Sequence, residues 1–328
     1  AVIVSNPGST LVVKEGTIEH IGGTDMAYAI DVRTNGNAGD VKAIIEGGTI
    51  RSTYRAIRQF LNSTTCKNEL EVNGGTVEST TGNYAIWFQN ASNNANKGNI
   101  TITEGNIGRV YVYSYKLESS GLNVNITSSA VEELVSYMKD YALTEVNGEY
   151  VKAEAVAKVD DYYTATLQEA INNYAYEGST VTILKDIELT SPVVIPAGYE
   201  LTIDLNGKTI SYENNVAGEA MITNRGELTL ANGTVTYKYT GAGDSSYSKG
   251  NYTISNGGTL TLENATVENT TAKMSHASYV IDNNSSAQKA TLIINNGSKV
   301  LNETNFAIRQ FSSLENNIIL NDGLVKGT

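Results

Sequence analysis

The 328-residue chain is poor in the residues that mark several common protein classes. It contains one cysteine, Cys66, so it cannot form an intramolecular disulfide. Its two histidines, His20 and His276, belong to no CxxC or HExxH pattern and give no sign of a zinc site. No apolar run reaches the ~20 residues that a membrane-spanning helix needs. The sequence therefore offers no disulfide framework, no recognisable metal centre and no membrane helix.

Positive charge and proline are scarce as well. The chain has 23 Lys and Arg residues against 35 Asp and Glu residues, which gives a formal net charge of −12. Contacts with nucleic acid or with an anionic membrane surface need basic patches, so we expect no nucleic-acid partner and no membrane insertion. Only Pro7, Pro192 and Pro196 interrupt the backbone, which suits a chain whose N–H groups are committed to sheet hydrogen bonds.

What the chain does contain is a recurring β-rich phrase. Each copy has the alternating residues of a strand, a Gly or Asn corner and a second short strand. Successive copies lie roughly 25–33 residues apart, which is typical of the coils of a solenoid. The phrases are STLVVKEGTIEH (9–20), VKAIIEGGTIRS (41–52), NELEVNGGTVES (68–79), GNITITEGNIGR (98–109), GELTLANGTVTY (226–237), GTLTLENATVEN (258–269) and ATLIINNGSKVL (290–301).

The repeats predict an all-β fold, a right-handed parallel β-helix. A lone coil cannot bury its apolar face, whereas stacked coils bury it continuously, with rungs about 4.8 Å apart. Asn and Gly tolerate positive φ at the corners, and stacked Asn side chains can form hydrogen-bonded ladders. A sandwich or a propeller is the alternative for many short strands, but the coil pattern favours the β-helix.

Two short capping helices and a hairpin are predicted to interrupt the coils. The first helix runs over 129–140, where apolar residues recur at helical spacing and the charges suit the helix dipole. A hairpin follows, with Asn147-Gly148 as its turn. The second helix runs over 167–176, where Thr166 and Glu169 form a capping box.

One five-residue phrase, AIRQF, occurs at 56–60 and again at 307–311. The offset from Arg58 to Arg309 is 251 residues, and flanking residues match as well. The chain therefore reads as parts of two tandem modules of about 250 residues each.

Residues 156–211 carry a resemblance to a known family. They contain TLQEAI, then the strand VTIL and the run IPAGYELTIDLNGKTI, and they follow the hairpin NGEYVK. This stretch resembles the start of pectin-lyase-like parallel β-helix modules in large repetitive surface proteins of Gram-positive gut bacteria. The resemblance implies that the second helix covers the open end of a solenoid and that the protein is extracellular or on the cell surface. Its motifs are structural and imply no activity.

We therefore expect four segments. Residues 1–127 are β-helix coils of the first module, and 128–155 are its closing helix and β-hairpin. Residues 156–200 are the cap helix and first strands of the second module, and 201–328 are its coils. The first module is expected to lack a starting cap and the second a closing cap. Either the chain is a window of a longer tandem array, or its uncapped ends stack head to tail between copies.

Catalytic patterns are weak throughout. Calcium-dependent lyases of this fold stack carboxylates, but Asp31 and Asp282 are equivalent positions in two modules rather than neighbours. The Gly-His-Gly and Arg-x-Lys phrases of the family's galacturonan hydrolases do not occur. We assign no catalytic, cofactor-binding or metal-binding residue and expect no cofactor.

Five residues are candidates for contacts with a ligand or an interface: Tyr111, Tyr113, Tyr115, Arg58 and Arg309. The three tyrosines alternate, so they project from one face of a strand, where they can stack on sugars, bury at an interface or simply pack across strands. The two arginines are either repeated ligand contacts or structural residues that face outward while their apolar neighbours pack.

The sequence predicts a non-catalytic extracellular or cell-surface β-solenoid that acts as a stalk, fibre subunit or adhesin. Its expected partners are other copies of itself, through the uncapped ends, and glycans or host and cell-surface molecules. Two alternatives stay open. One is a polysaccharide lyase or glycosidase of the pectin-lyase-like fold, and the other is a glycan-binding module.

Overall fold

The computed structural model describes residues 1–23, 27–36, 39–90, 97–114, 121–241, 250–272, 278–284, 289–295, 297–310 and 315–327. Strands make up 62% of it, so the protein is nearly all-β. The chain divides into two compact units. Unit 1 is Ala1–Ala155 with Asp161–Ala165, and unit 2 is Val156–Asp160 with Thr166–Thr328.

Unit 1 contains sixteen of the strands in the described ranges. They are β1 (Val2–Val4), β2 (Thr10–Val13), β3 (Thr17–His20), β4 (Tyr28–Asn35), β5 (Val41–Ile45), β6 (Thr49–Ser52), β7 (Arg55–Asn62), β8 (Lys67–Ser79), β9 (Ile86–Asn90), β10 (Lys97–Ile107), β11 (Val110–Ser114), β12 (Leu122–Thr127), β13 (Leu134–Met138), β14 (Tyr141–Val146), β15 (Glu149–Glu154) and β17 (Tyr162–Thr164).

Two sheets form unit 1. The six-stranded sheet has the order β1-β4-β7-β9-β11-β13, and every neighbouring pair in it is parallel. The nine-stranded sheet follows the path β14-β15-β12-β10-β8-β5-β2, with β3 and β6 joined through β8. The chain alternates between the two sheets, and each strand pairs with its counterpart from the next passage. Apolar residues therefore stack on apolar residues, as in the row Ile30, Ile57, Ile86 and Val110, all fully buried.

Unit 2 repeats this arrangement with its own strands. They are β16 (Ala157–Val159), β18 (Ser179–Ile183), β19 (Ile187–Leu189), β20 (Val193–Ile195), β21 (Glu200–Asp204), β22 (Thr209–Asn214), β23 (Ala220–Asn224), β24 (Glu227–Tyr239), β25 (Asn251–Asn256), β26 (Thr259–Asn269), β27 (Ser278–Asn283), β28 (Thr291–Ile294), β29 (Lys299–Asn302), β30 (Ile308–Arg309), β31 (Asn317–Leu320) and β32 (Leu324–Lys326).

The five-stranded sheet of unit 2 has the order β20-β23-β25-β27-β30 and is entirely parallel. The larger sheet runs β16-β18-β21-β24-β26-β28-β31, with β22 paired to β24 and β29 paired to β26. The long strands β24 and β26 bend at Asn232 and Asn264, whose φ values are 58° and 52°. Asn at these corners was predicted from its tolerance of positive φ, and that prediction is confirmed.

A buried asparagine ladder runs through unit 2, and it confirms the prediction that Asn side chains stack. Asn224 donates from Nδ2 to Oδ1 of Asn256 at 2.8 Å, and Asn256 donates to Oδ1 of Asn283 at 2.8 Å. Asn283 donates in turn to Oε1 of Gln310 at 2.9 Å. The three asparagines are fully buried, and each also donates to a backbone carbonyl of the larger sheet. Every rung therefore satisfies a polar group of the rung before it.

The predicted closing helix at 129–140 is wrong. Ser128–Ala130 form one 3-10 turn, and Leu134–Met138 form strand β13. This strand pairs in parallel with Val110–Ser114, and the Tyr137 ring stacks on Tyr113 at 5.3 Å between centroids. The spacing of apolar residues fits a helix, but pairing with strand β11 outweighs that local preference. The β-branched and aromatic residues of this segment suit the pleated surface of a sheet.

The hairpin and the second helix are confirmed. The strands β14 and β15 are antiparallel around Asn147 and Gly148, whose φ values of 52° and 83° fit a two-residue turn of type I′. Helix α1 begins at Leu167 and continues as a π-helical turn to Tyr174. Thr166 Oγ1 accepts from the Glu169 N–H at 3.1 Å, which is the cap that the sequence predicts.

The two units are therefore built largely from parallel strand pairs, an architecture compatible with a parallel β-helix. Antiparallel exceptions are β14 with β15, β15 with β12, and β16 with β18. None of the sheets closes on itself in the described ranges. Among the same residues, no helix is long and apolar enough to span a membrane.

We expect Asn256→Ala to lower the free energy of unfolding by about 2–3 kcal/mol, because it leaves buried polar groups of the ladder without partners. The matched control is Asn321→Ala, which removes an exposed Asn–Asn hydrogen bond of the same unit. Urea denaturation followed by far-UV circular dichroism measures both. Equal, small effects of the two variants would show that the ladder does not stabilise the fold.

Candidate functional site

The duplicated arginine Arg58 lies in a buried ion pair. Strand register places it beside Asp31 of β4, and its Nε and Nη2 donate to the two carboxylate oxygens at 2.9 and 2.7 Å. Its guanidinium carbon lies 4.5 Å from the centre of the Tyr28 ring, and the residue is only 7% exposed. Burial works to lower the pKa of Arg58, but the hydrogen bonds and charge of Asp31 outweigh it and raise that pKa.

Unit 2 holds the same arrangement at the second copy of the phrase. Arg309 donates to both carboxylate oxygens of Asp282 at 2.8 and 2.7 Å. Its guanidinium carbon lies 5.3 Å from the centre of the Tyr279 ring, and Tyr279 is the counterpart of Tyr28. Because each arginine is held by two hydrogen bonds to an aspartate, the geometry favours the structural interpretation of Arg58 and Arg309. Arg58 is nevertheless covered rather than freely exposed, which the sequence does not indicate.

The glutamine of the phrase is also structural in both copies. Gln59 Nε2 donates to the carbonyl of Asn68 at 2.9 Å, and the Asn68 side chain donates back to the carbonyl of Val32 at 3.1 Å. Gln310 and Asn316 form the equivalent bonds in unit 2. Sequence reasoning missed the partners of both the glutamines and the arginines. For the arginines a signal was available, because an aspartate lies 27 residues before the arginine in both copies.

A set of aromatic rings lies on and beside the six-stranded sheet, and we call it the aromatic surface. Its members belong to unit 1 and are Tyr28, Phe60, Tyr84, Trp87, Tyr111, Tyr113, Tyr137 and Tyr162. Strand register sets two rows across the sheet: Asp31, Arg58, Trp87, Tyr111 and Val135, then Arg33, Phe60, Gln89, Tyr113 and Tyr137.

The predicted tyrosines Tyr111 and Tyr113 lie in the middle of this surface. Tyr111 stacks on Tyr84 at 4.7 Å between centroids, and its ring lies 5.8 Å from Tyr113. Burial and the neighbouring tyrosines raise the pKa of Tyr111 to about 12. Both residues are half-buried, so each ring packs against its neighbours and still meets solvent. The third predicted tyrosine, Tyr115, lies outside the described residues.

Trp87, the single tryptophan of the chain, joins the rings to a cation. The Arg55 guanidinium carbon lies 3.9 Å from the centre of its ring, a close cation–π contact. The Trp87 ring also lies 6.3 Å from Tyr28. The sequence alone does not indicate that Trp87 and Arg55 lie near the tyrosines, because only the register between strands brings them there.

Unit 2 contains a separate concavity, which we call the corner cleft. It has a volume of about 400 Å³ and is lined by Glu177, Glu200, Glu227, Arg225 and Lys289. Glu200 and Glu227 are register partners on neighbouring strands. The floor is formed by glycines, and a Cβ on Gly258 would lie 2.0 Å from the Gly226 carbonyl oxygen. The backbones of neighbouring passages approach one another too closely at this point for any side chain.

In the described ranges, no cluster of three or more His, Cys, Asp or Glu side chains is arranged to hold a metal ion. In particular, Asp31 and Asp282 each face an arginine.

No protein-family model, no curated protein and no solved structure matches this chain.

We expect Asp31→Ala and Arg58→Ala each to lower the free energy of unfolding by about 3 kcal/mol, because each leaves a buried charge without its partner. The double variant should cost much less than the sum. Denaturation followed by the fluorescence of Trp87, which lies in unit 1, measures the three variants.

The matched control is the exposed pair Glu19 and Arg51, whose carboxylate and Nε are 2.6 Å apart on neighbouring strands of the other sheet of unit 1. A double-mutant cycle on Glu19 and Arg51 should give no measurable coupling free energy, since solvent screens the attraction between the two exposed charges. Additive effects at Asp31 and Arg58 would show that the duplicated pair does not act as a unit.

Proposed function

We propose that this protein is a non-catalytic, glycan-binding β-solenoid, an adhesin or stalk at the cell surface or outside the cell. The aromatic surface of unit 1 is the observation that carries the proposal. Most of its rings are half-buried and still meet solvent, and Tyr162 is exposed. Clustered aromatic groups that remain accessible on one face of a protein are typical of binding surfaces. Tyr and Trp rings combine an apolar face with a polar edge, and a sugar ring has apolar C–H faces and polar hydroxyls.

The spacing of the rings suits a chain of sugars. Tyr111 and Tyr113 lie on β11 and Tyr137 on the neighbouring strand β13, and neighbouring strands run about 4.8 Å apart. Along the surface the centroids of Tyr84, Tyr111, Tyr113 and Tyr137 are separated by 4.7, 5.8 and 5.3 Å. Tyr84 is stacked on Tyr111 and Tyr113 on Tyr137, so an oligosaccharide would lie along the outward edges of several rings at once. Tyr111, Tyr113 and Tyr137 rest on strands rather than on loops, which holds them in place before the ligand arrives.

A right-handed parallel β-helix is the architecture we assign to each unit, and a pectin-lyase-like module is its nearest type. Support comes from the alternation of the chain between two parallel sheets, with each strand paired to its counterpart of the next passage. Parallel crossovers within a sheet are almost always right-handed. The extracellular or surface location rests on this assignment and on the resemblance of residues 156–211.

The strands β31 and β32 of unit 2 support association between copies of the protein. Ile318, Leu320 and Leu324 of β31 and β32 are 43%, 54% and 49% exposed. An exposed apolar edge strand is a template for further pairing. In this proposal a strand of another copy of the protein pairs with this edge.

A second candidate function rests on the corner cleft. Glu200 and Glu227 lie on neighbouring strands, whose backbones are about 4.8 Å apart. Retaining glycosidases place two carboxyl groups about 5–5.5 Å apart, and two glutamates on neighbouring strands are compatible with that spacing.

A glycan array followed by calorimetry tests the proposal. We expect the protein to bind oligosaccharides without releasing products, and Tyr111→Ala/Tyr113→Ala to weaken binding at least about tenfold, or about 1.4 kcal/mol. Tyr176→Ala, at an exposed tyrosine of unit 2, is the control and should bind as the unaltered protein does. Circular dichroism checks that each variant is folded.

Two results would contradict this function. The array could show no bound glycan, or the double variant could bind unchanged. Release of shorter products that is abolished by Glu200→Gln would instead support the glycosidase.

A further inference from the structure

We propose that copies of this chain associate head to tail, with β30, β31 and β32 of one copy paired in parallel to β1, β2 and β3 of the next copy. This inference rests on the association between copies in the proposed function and names the strands and the register that meet. In the described ranges each of these six strands is paired on one side only. The strands β1, β2 and β3 pair with β4, β5 and β6, and β30, β31 and β32 pair with β27, β28 and β29.

Both free edges expose aliphatic side chains in a single copy. On one edge Ile3 and Val12 are 59% and 42% exposed. On the other edge the exposed residues are Ile318, Ile319, Leu320, Leu324 and Val325. Unpaired backbone groups beside exposed aliphatic residues make a template for a further strand, and burial of those side chains favours association.

The inward side chains of the two edges have the same spacing. Three rows of buried aliphatic residues cross the larger sheet of unit 2 and reach its free edge at Ile318, Leu320 and Val325. Opposite buried residues of β5 and β6, the inward residues of β2 and β3 are Leu11, Val13 and Ile18. In both sets the second residue follows the first by two positions, and the third follows by five more. A next copy that continues one row therefore continues all three.

The bonds of β31 to the preceding passage show which of its backbone groups are free. The N–H groups of Asn317 and Asn321 donate to carbonyls of that passage at 2.9 and 2.8 Å. Successive residues of a strand direct their backbone groups to opposite sides, so the N–H and C=O groups of Ile318 and Leu320 face the free edge.

The free edge of β2 offers complementary groups. The carbonyls of Ser9 and Val13 accept from the following passage at 3.0 and 2.8 Å, so the backbone groups of Thr10 and Val12 face the other way. In the register that the inward rows set, the Ile318 N–H donates to the Thr10 carbonyl of the next copy. The Ile318 carbonyl then accepts from the Val12 N–H, which repeats the parallel pairing between passages within one copy.

The buried asparagine ladder of unit 2 continues in the same register. It reaches Gln310, whose Nε2 donates to the Asn316 carbonyl at 3.1 Å. An amide NH₂ carries two donors, and in the described part of the chain the second N–H of Gln310 has no partner. Ser5-Asn6 matches Ser255-Asn256, so Asn6 corresponds to the ladder residue Asn256. The side chain of Asn6 in the next copy therefore lies where it accepts from Gln310.

Opposite charges meet on the outward side of the contact. Lys326 lies in one row with Glu268 and Leu301. The phrases TLVVKEGTIEH (10–20) and TLTLENATVEN (259–269) align without a gap, and Glu19 is the counterpart of Glu268. Glu19 of the next copy therefore lies beside Lys326. Such a pair adds little affinity, but it favours this partner over one that brings like charges together.

Disulfide trapping tests the register. Ile319 and Val12 face outward opposite each other in the proposed contact, and both are about two-fifths exposed in a single copy, so cysteine should be tolerated. Neighbouring strands run about 4.8 Å apart, within the Cα separation of about 4.4–6.8 Å that a disulfide spans. We expect an equal mixture of Ile319→Cys and Val12→Cys proteins in oxidised glutathione to form a covalent dimer, and neither protein alone to do so.

Thr10→Cys in place of Val12→Cys is the matched control, because it lies on the same face of β2 two residues away. It should give at least about tenfold less covalent dimer with Ile319→Cys, since Cα atoms more than about 7 Å apart cannot be bridged. Equal trapping by Thr10→Cys and Val12→Cys would contradict the register.

Analytical ultracentrifugation of the full chain tests the choice of partner. Leu320→Pro and Val12→Pro each remove an N–H that faces a free edge and keep the bonds to the paired neighbour. Each variant alone should weaken association at least about tenfold, whereas their equal mixture should form a dimer and nothing larger, because one intact edge of each kind remains. Val216→Ser, which removes an exposed aliphatic residue from a turn of unit 2, is the control and should associate as the unaltered protein does.

The outcomes separate this inference from the proposed function. Association of Val12→Pro alone, with Leu320→Pro monomeric, would show that two β31 edges pair with each other, which overturns the inference and leaves association between copies standing. Unaltered protein that stays monomeric at every concentration, with no trapped dimer, would overturn both. Glycan binding by the aromatic surface is measured separately on the array, so its failure would leave this contact standing.

Discussion

Parallel pairing between successive passages of the chain is the constraint on which the rest of this structure depends. Each side chain lies beside the one at the same position of the next passage, so its neighbour is fixed by register and not by local sequence. Apolar residues form continuous buried rows on this basis, as Ile30, Ile57 and Ile86 do. A buried polar residue is tolerated only if the neighbouring passage supplies its partner. Asn256 in its ladder and Arg58 with Asp31 both meet that condition.

This constraint explains which parts of the fold could be predicted from the sequence. The alternating phrases, the Asn147-Gly148 hairpin, the cap at Thr166 and the stacking of asparagines follow from local rules, and the structure confirms them. The helix expected at 129–140 was wrong because a short apolar pattern fits both helix and strand, and only the preceding strand β11 decides between them.

The candidate surface was predictable in part for the same reason. The alternation of Tyr111 and Tyr113 indicates a row of rings on one face, and the structure places both there. The alternation does not indicate that Trp87 or Arg55 lies near these tyrosines, because the number of residues between paired positions on neighbouring strands varies along the chain. Hydrogen-bonded partners on neighbouring passages are separated by 24 residues at Asn99 and Asn123 but by 32 at Asn224 and Asn256. The Asp31–Arg58 pair was open to detection, since its spacing of 27 residues recurs at Asp282 and Arg309.

The central claim is that the aromatic surface of unit 1 binds glycans, and the chain contains its own probe for it. Trp87 is the single tryptophan, and it lies in the row that includes Arg58 and Tyr111. Titration with an oligosaccharide that the glycan array identifies should therefore change the intensity and wavelength of tryptophan emission, with saturation at the affinity that calorimetry gives. Emission that stays constant while calorimetry shows the oligosaccharide bound would place the ligand elsewhere on the protein and contradict the account.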